Sequence, residues 1–134
     1  MFNLSGKINE LGLADRVALL GRVSEADLPV LYALATVFCY VSFAEGFGLP
    51  PLEAMASGVP VVVSNRDSLP GICSEAGTYV DPEKTEEIAA AIESLLGNAE
   101  LWKQKRAQGL RRARSFTWQR SADTLLQVFR EAVR

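Results

Sequence analysis

Apolar and polar residues alternate along the chain in a pattern typical of strand–helix units. Short apolar runs at residues 17–21, 36–42, 59–64 and 77–80 predict four strands. Amphipathic stretches separate these runs, which favours a parallel sheet covered by helices on both faces. We therefore predict one α/β domain over residues 1–134, with a partial Rossmann-like sheet of about four strands.

Capping residues mark the predicted helices between the strands. Ser24 begins a helix that runs to Leu34, and Asp27 occupies the third helical position of a capping box. A second helix is predicted over residues 49–57. Gly58 follows it as a C-cap, since glycine takes the left-handed conformation that commonly ends a helix.

Beyond residue 82 the pattern is helical only, so we predict a helical C-terminal tail. Asn98 and Thr117 are expected N-caps. We also expect Phe116 and Trp118 to belong to the core. Two apolar stripes at helical spacing support the tail, formed by Ile88, Ile92, Leu95 and Leu96 and by Trp118, Ala122, Leu125, Leu126, Phe129 and Val133.

Composition and charge are those of an ordinary globular domain. Apolar residues make up 49% of the sequence and charged residues 22%, with a net charge of −2. This charge creates no field that would recruit nucleic acid. No run of about 18 apolar residues predicts a membrane span. The first residues lack the pattern of a signal peptide, so we expect a cytoplasmic protein.

The absence of histidine restricts the chemistry. It excludes a Ser-His or Cys-His nucleophile pair and a histidine metal site within this chain. Cys39 and Cys73 have no spacing typical of zinc ligands, and we interpret both as buried free thiols. Binding must then use carboxylates, cationic side chains, hydroxyls and backbone N–H groups, and no metal or cofactor is expected.

The segment from Lys103 to Arg120 carries seven Lys or Arg residues and no Asp or Glu. One interpretation is a solvated helix face near a helix C-terminus, where cations are favourable. The alternative is a weak contact with anionic lipid head groups, which would place the protein at the inner face of the membrane. Aromatic residues are not interleaved with the cations before Phe116, so a nucleic-acid surface is not expected.

The most specific sequence lies between the second strand and the helix that follows it. Ligands of open α/β sheets bind at the carboxyl ends of the strands, and a helix N-terminus there favours a phosphate. Gly46 and Gly48 let the backbone approach a phosphate and permit positive φ. Glu45 and Glu53 bracket this loop, and carboxylates are suited to hydroxyls of a ribose or sugar. The pattern therefore predicts a nucleotide-sugar site.

Other interpretations of the same residues exist. A single Glu near a helix start often only complements the helix dipole, and Gly-x-Gly is often only a turn. A nicotinamide or flavin dinucleotide site is a second alternative, with Asp67 as the ribose-binding acid. Pro51 at the third glycine position argues against it, as does the place of Asp67 three residues beyond the strand.

Glu45 and Glu53, with seven residues between them, resemble the Glu-x₇-Glu motif of the retaining GT-B glycosyltransferases of family 4 (the glycosyl transferases group 1 domain). The sequence from Glu45 through Gly58 to Val62 is similar to that family nearly residue by residue, and the resemblance covers nearly the whole chain. Its other landmarks follow in order, as Asp15-Arg16-Val17 with Leu20-Gly21, Ser68-Leu69-Pro70 and Phe116-Thr117-Trp118.

The resemblance implies roles for individual residues. Glu45 would contact the transferred sugar as the catalytic residue, and Glu53 would bind the ribose. The amides around Phe47, Gly48 and Leu49 would face the sugar and the diphosphate. The implied donor-binding set is Glu45, Gly46, Phe47, Gly48, Leu49 and Glu53.

The resemblance further implies transfer, with retention, from a nucleoside diphosphate sugar to a glycan or lipid-linked acceptor. The Gly-Leu-Pro-Pro-Leu-Glu and Ser-Leu-Pro sequences are similar to those of mannosyltransferases of surface polysaccharide synthesis, which favours GDP-mannose over a UDP-sugar. One departure is Gly71, where relatives usually have Glu; this affects helix capping more than catalysis.

Full members of the family also have an N-terminal acceptor domain and two further strands with basic residues that hold the diphosphate. We expect this chain to lack them, and Arg22 is not a secure substitute. In the family's sheet those strands lie between the runs at 17–21 and 36–42, so two open edges need the missing domain or another chain as a partner. We expect the isolated chain to be inactive. A non-enzymatic truncated fold or interaction module is the alternative.

Overall fold

The computed structural model describes residues 3–133, in which three strands and seven α-helices follow one another. The strands are β1 (Phe38–Tyr40), β2 (Val61–Ser64) and β3 (Gly77–Val80). The helices are α1 (Leu4–Glu10), α2 (Leu28–Leu34), α3 (Leu49–Ala56), α4 (Leu69–Cys73), α5 (Thr85–Gly97), α6 (Ala99–Ala113) and α7 (Trp118–Ala132), with a 3-10 turn at Ser74–Ala76.

The strands form a parallel sheet in the order β1-β2-β3. The central strand β2 is fully buried, and its valines alternate between two core clusters. Val61 and Val63 pack with residues of α3 and α4, while Val62 packs with residues of α5 on the other face. The predicted α/β class with helices on both faces is therefore confirmed.

The predicted first strand, at residues 17–21, does not form. Val17, Leu19 and Leu20 are 40%, 53% and 61% exposed. A strand needs a neighbour to bond its backbone groups, and within the described part of the chain β1 pairs with β2 alone. The described part of the chain consequently has a sheet of three strands, and β1 is shorter than the predicted run of residues 36–42.

Most of the predicted caps are present. Asn98 accepts the Leu101 N–H at 3.0 Å, and Thr117 accepts the Arg120 N–H at 3.2 Å. Gly58 has the left-handed φ of +79° that ends α3.

Ser24 makes only one of the two bonds of the predicted capping box, the one that its hydroxyl accepts from the Asp27 N–H. Its hydroxyl donates to the Asp27 carboxylate at 2.6 Å and accepts the Asp27 N–H at 3.1 Å. These bonds form a turn, and the regular helix begins later, at Leu28. α1 is an element that the sequence pattern did not predict.

Two core predictions were wrong. Trp118 is 87% exposed, and α7 has no buried residue, although Phe116 packs against the core. Cys73 is a buried thiol, whereas Cys39 is exposed. Cys39 pairs in register with Val62, but α5 packs on β2 and β3, further from the open edge. Apolar periodicity predicts a face but not whether anything covers it.

The basic segment mostly contacts protein groups. Lys105 donates to the carbonyls of Glu75 and Gly77 at 2.9 and 2.8 Å. Arg112 donates to the carbonyls of Ile72 and Gly71. Three more cations of this segment also bond to protein groups, namely Lys103, Arg111 and Arg120. The part of the chain that the structure describes has no helix with the length and hydropathy of a membrane span.

Candidate functional site

The β1–α3 loop places the predicted site at the carboxyl end of the sheet. Glu45 lies half-buried in this loop, after β1 has ended at Tyr40. Glu53 lies in the second turn of α3 and is exposed. The loop leads directly into α3, so both carboxylates of the motif lie at the same end of the sheet.

Gly48 is the glycine on which this loop depends. It caps α3 with φ +110°, a conformation that side chains rarely adopt. A Cβ at this position would lie 2.8 Å from Cδ2 of Leu69. Gly46 differs, since its φ is not positive and a Cβ there would meet open space. Gly48 therefore shapes the loop, and Gly46 leaves room beside it.

The start of α3 offers few amides to a ligand. Pro50 and Pro51 carry no N–H, so the amides able to face an anion at this helix start are those of Gly48 and Leu49. The Phe47 N–H points to Oε1 of Glu45 at 3.4 Å. Two amides and the positive end of the helix dipole suit a phosphate group.

Glu45 is held by a tyrosine. The Tyr40 hydroxyl donates to Oε2 of Glu45 at 2.5 Å. This hydrogen bond is the main reason that the pKa of Glu45 lies below its usual range, and the Phe47 N–H contributes in the same direction. Glu45 is accordingly an anion at neutral pH, suited to accept hydrogen bonds from sugar hydroxyls.

Glu53 is held by a second tyrosine. The hydroxyl of Tyr32, on α2, donates to Oε2 of Glu53 at 3.2 Å. Burial raises the pKa of Tyr32 to about 12, and the charge of Glu53 adds to this effect. Tyr32 thus keeps its proton and remains a donor to the carboxylate.

The β2–α4 loop supports the site from the neighbouring strand. The Asp67 carboxylate accepts the Glu45 N–H at 3.1 Å. The Ser68 hydroxyl lies 2.9 Å from the Glu45 carbonyl and 2.8 Å from the Phe47 carbonyl. The Arg66 guanidinium lies 5.8 Å from the ring centre of Phe43. Asp67, the ribose-binding acid of the dinucleotide alternative, instead fixes the backbone of Glu45.

Clefts lie on two sides of Glu53. One, of about 570 Å³, is lined by Glu25, Leu28, Pro29, Tyr32, Glu53, Ala56 and Ser57. The other, of about 250 Å³, is lined by Phe47, Leu49, Leu52, Glu53, Phe116, Thr117, Trp118 and Ser121. Within residues 3–133 no group of three His, Cys, Asp or Glu side chains is arranged to hold a metal ion.

The sequence pattern missed the residues that hold the carboxylates. Tyr40 had a usable signal, since it ends the strand just before an acidic loop. Tyr32 had none, because it lies 21 residues before Glu53. For Asp67 the sequence offered a different role, as the ribose-binding acid of a dinucleotide site.

Residues 2–115 match the model of a protein family described as "Glycosyl transferases group 1". The chain belongs to this family. The resemblance stated for the Glu-x₇-Glu motif is therefore confirmed, and the chain is a glycosyltransferase domain by family.

Relatives include enzymes named for mannose transfer. The chain is 44% identical over 83% of its length to "O-antigen chain mannosyltransferase B" of Escherichia coli, covering 29% of that protein. It is 36% identical over 94% of its length to "MMP alpha-(1->4)-mannosyltransferase" of Mycolicibacterium hassiacum, covering 32% of it. The chain thus spans about a third of the length of these relatives.

Solved structures agree with the fold. Sucrose-phosphate synthase from Thermosynechococcus elongatus superposes with a TM-score of 0.85 at 32% identity, over 97% of this chain and 33% of that one. The C-terminal domain of a glycosyl transferase group 1 protein from Francisella tularensis gives 0.74 at 27% identity, over 84% of this chain and 59% of that one. The fold is of the GT-B C-terminal type.

Proposed function

We propose that the chain is the donor-binding part of a retaining glycosyltransferase that uses a nucleoside diphosphate sugar. The observation that carries this proposal is the pair of tyrosine-held carboxylates beside the glycine turn at the start of α3. Anion-binding amides next to hydroxyl-binding carboxylates match the two kinds of group in such a donor.

The residues take the following roles in this proposal. Glu45 contacts the transferred sugar as the catalytic carboxylate, and Glu53 accepts ribose hydroxyls. The amides of Gly48 and Leu49 face the diphosphate. Gly46 leaves space for the sugar to approach, and Phe47 lines the adjacent cleft.

GDP-mannose is the proposed donor, because relatives of this chain are named as mannosyltransferases. A UDP-sugar is the alternative, and the acceptor is a glycan or a lipid-linked glycan. The positive field of α3 and its free amides act in place of a cation, so donor binding is proposed to be independent of metal. The basic segment mostly bonds to protein carbonyls and carboxylates, which favours a structural role for it over a lipid contact.

Transfer requires more than this chain. The chain covers about a third of its relatives, and we propose that an acceptor domain and further strands come from the remainder. Positioning of two reactants can supply roughly 7–11 kcal/mol of rate acceleration. The isolated chain is therefore expected to transfer no sugar in a radiolabelled-donor assay, and turnover above background hydrolysis would contradict this division of work.

Calorimetric titration of the chain with GDP and GDP-mannose tests donor binding. Glu53→Gln should weaken GDP binding by roughly 1.5–3 kcal/mol, the range for hydrogen bonds to charged groups. Glu45→Gln should leave GDP binding unchanged and weaken only GDP-mannose. Glu93→Gln, at an exposed position of α5, is the matched control. Each titration is repeated with EDTA, which should change nothing.

Three results would contradict the proposal. The first is equal loss of GDP binding in Glu45→Gln and Glu53→Gln, which would remove the division of roles. The second is affinity that disappears with the chelator. The third is binding of neither GDP nor a UDP-nucleotide by the wild-type chain.

A further inference from the structure

A row of three aromatic rings connects the two carboxylates of the motif. The ring of Tyr32 meets that of Phe38 edge-on, with centroids 5.3 Å apart and planes at 77°. Phe38 stacks on Tyr40 at 6.1 Å and 13°. The hydroxyls at the two ends of this aromatic row donate to Glu53 and Glu45.

The row is anchored in regular structure. Phe38 and Tyr40 are two residues apart on β1, so their side chains share one face of the sheet. Tyr32 is only 8% exposed and belongs to the main core cluster. A carboxylate in a loop and a carboxylate on an exposed helix face are thus both fixed to the sheet.

Each tyrosine occupies one oxygen of its carboxylate. Both hydrogen bonds end on Oε2, so among the described residues Oε1 of Glu53 remains available to another donor. Within residues 3–133, Oε1 of Glu45 has only the long contact with the Phe47 N–H. A ligand hydroxyl would therefore meet a carboxylate whose rotamer and free oxygen are already set, which lowers the entropy lost on binding.

We propose that Tyr40 and Tyr32 are positioning residues with separate tasks: Tyr40 orients Glu45 toward the sugar, and Tyr32 orients Glu53 toward the ribose of the donor. This inference rests on the proposed donor site. It differs from a simple packing role, because it assigns the function to the two hydroxyl groups and not to the rings.

Phenylalanine substitution separates these roles, since it removes the hydroxyl and keeps the ring. Tyr79→Phe is the matched control, because the Tyr79 hydroxyl also donates a short hydrogen bond, to the Ser74 carbonyl at 2.5 Å, away from both carboxylates. Tyr32→Phe should weaken the binding of GDP about three- to ten-fold. Tyr40→Phe should leave the binding of GDP unchanged and weaken the binding of GDP-mannose by a similar factor.

Two readouts on the ligand-free chain test the hydrogen bonds themselves. In a carbon-13 NMR titration, Tyr40→Phe should raise the pKa of Glu45 toward its usual range, and Tyr79→Phe should not. Glu53→Gln should lower the pKa of Tyr32 from about 12, and Glu45→Gln should not.

The outcomes distinguish this inference from the proposed function. An unmoved titration of Glu45 in Tyr40→Phe, or of Tyr32 in Glu53→Gln, overturns the inference whether or not the chain binds nucleotide. Equal weakening of both ligands by the two variants overturns the separate tasks. If the wild-type chain binds neither ligand, the proposed function fails, and the titrations still decide on the two hydrogen bonds.

Discussion

Asp67 accepts the backbone N–H of Glu45 at 3.1 Å, across 22 residues of sequence. Its own backbone has φ +51°, in the left-handed region that asparagine and aspartate tolerate better than other side chains. One residue thus combines a strained backbone with a bond to the candidate catalytic loop. Such strain persists where the surrounding structure fixes it, and it is common at functional sites.

Substitutions at Asp67 should therefore follow an order. Asp67→Asn keeps an acceptor oxygen and tolerates this φ, so its free energy of unfolding should stay near that of the wild type. Asp67→Ala loses the acceptor and tolerates this φ less well than aspartate, which together should cost about 1–3 kcal/mol. Asp67→Gly loses the acceptor but adopts this φ without strain, so its free energy of unfolding should lie between them. Urea unfolding measures the order, and an equal loss in Asn and Ala variants would contradict it.

Gly48→Ala should destabilise the fold by about 1–3 kcal/mol, because alanine is strained at φ +110° and its Cβ would press on Leu69. Gly97→Ala is the control, since a Cβ there meets nothing within 4 Å and φ is not positive. Alanine has the higher helix propensity, so this control should be neutral or stabilising in thermal and urea unfolding. Similar losses of unfolding free energy in Gly48→Ala and Gly97→Ala would show that a side chain at position 48 causes no particular strain.

Arg112→Ala should cost about 1.5–3 kcal/mol, the range for a hydrogen bond to a charged group. Its guanidinium donates to the carbonyls of Ile72 and Gly71 at 2.8 and 2.6 Å and lies 4.7 Å from the ring centre of Phe116. Arg114→Ala, at an exposed position two residues later, should change the free energy of unfolding by less than about 0.5 kcal/mol. Chemical denaturation of both variants measures this difference. Equal losses of unfolding free energy would mean that the positive charge, and not the hydrogen bonds, accounts for the effect.

The folded chain should lose stability in alkali. Because the pKa of Tyr32 is raised to about 12, the folded state holds this proton more tightly than the unfolded state. The stabilisation is fully present below the ordinary tyrosine pKa of about 10, and it is lost as the pH rises from there through 12. Urea unfolding at pH 8 and pH 11.5 should show a smaller loss for Tyr32→Phe than for the wild type. An identical loss of unfolding free energy in both proteins would contradict the contribution assigned to Tyr32.

Local signals predicted local structure well. Asn98, Thr117 and Gly58 act within a few residues of their own position, and their capping roles were correct. The strand expected at residues 17–21 failed because pairing depends on a neighbour that the pattern cannot supply. Trp118 failed for a related reason, since the period of an apolar stripe does not reveal whether anything packs on it.

The sequence likewise predicted the local part of the candidate site and missed the contacts that come from distant residues. The glycine turn and the two glutamates lie within nine residues of sequence, so the motif was visible as a unit. Besides the nearby Tyr40, the groups that hold it come from Tyr32 and Asp67, at separations of 21 and 22 residues. Only the parallel pairing of β1 and β2 brings the Asp67 loop beside the Glu45 loop.

The buried residues have a narrow distribution along the chain. Within residues 3–133 every buried position lies between Tyr32 and Gly109, and α1 and α7 have none. Regions with few buried contacts open at low free-energy cost, while a shared core opens only as a unit. Amide hydrogens of both terminal helices should thus exchange with solvent by local fraying. Those of β2 should exchange only through global unfolding, so the strand beside the candidate site marks the slowest-exchanging part of the molecule.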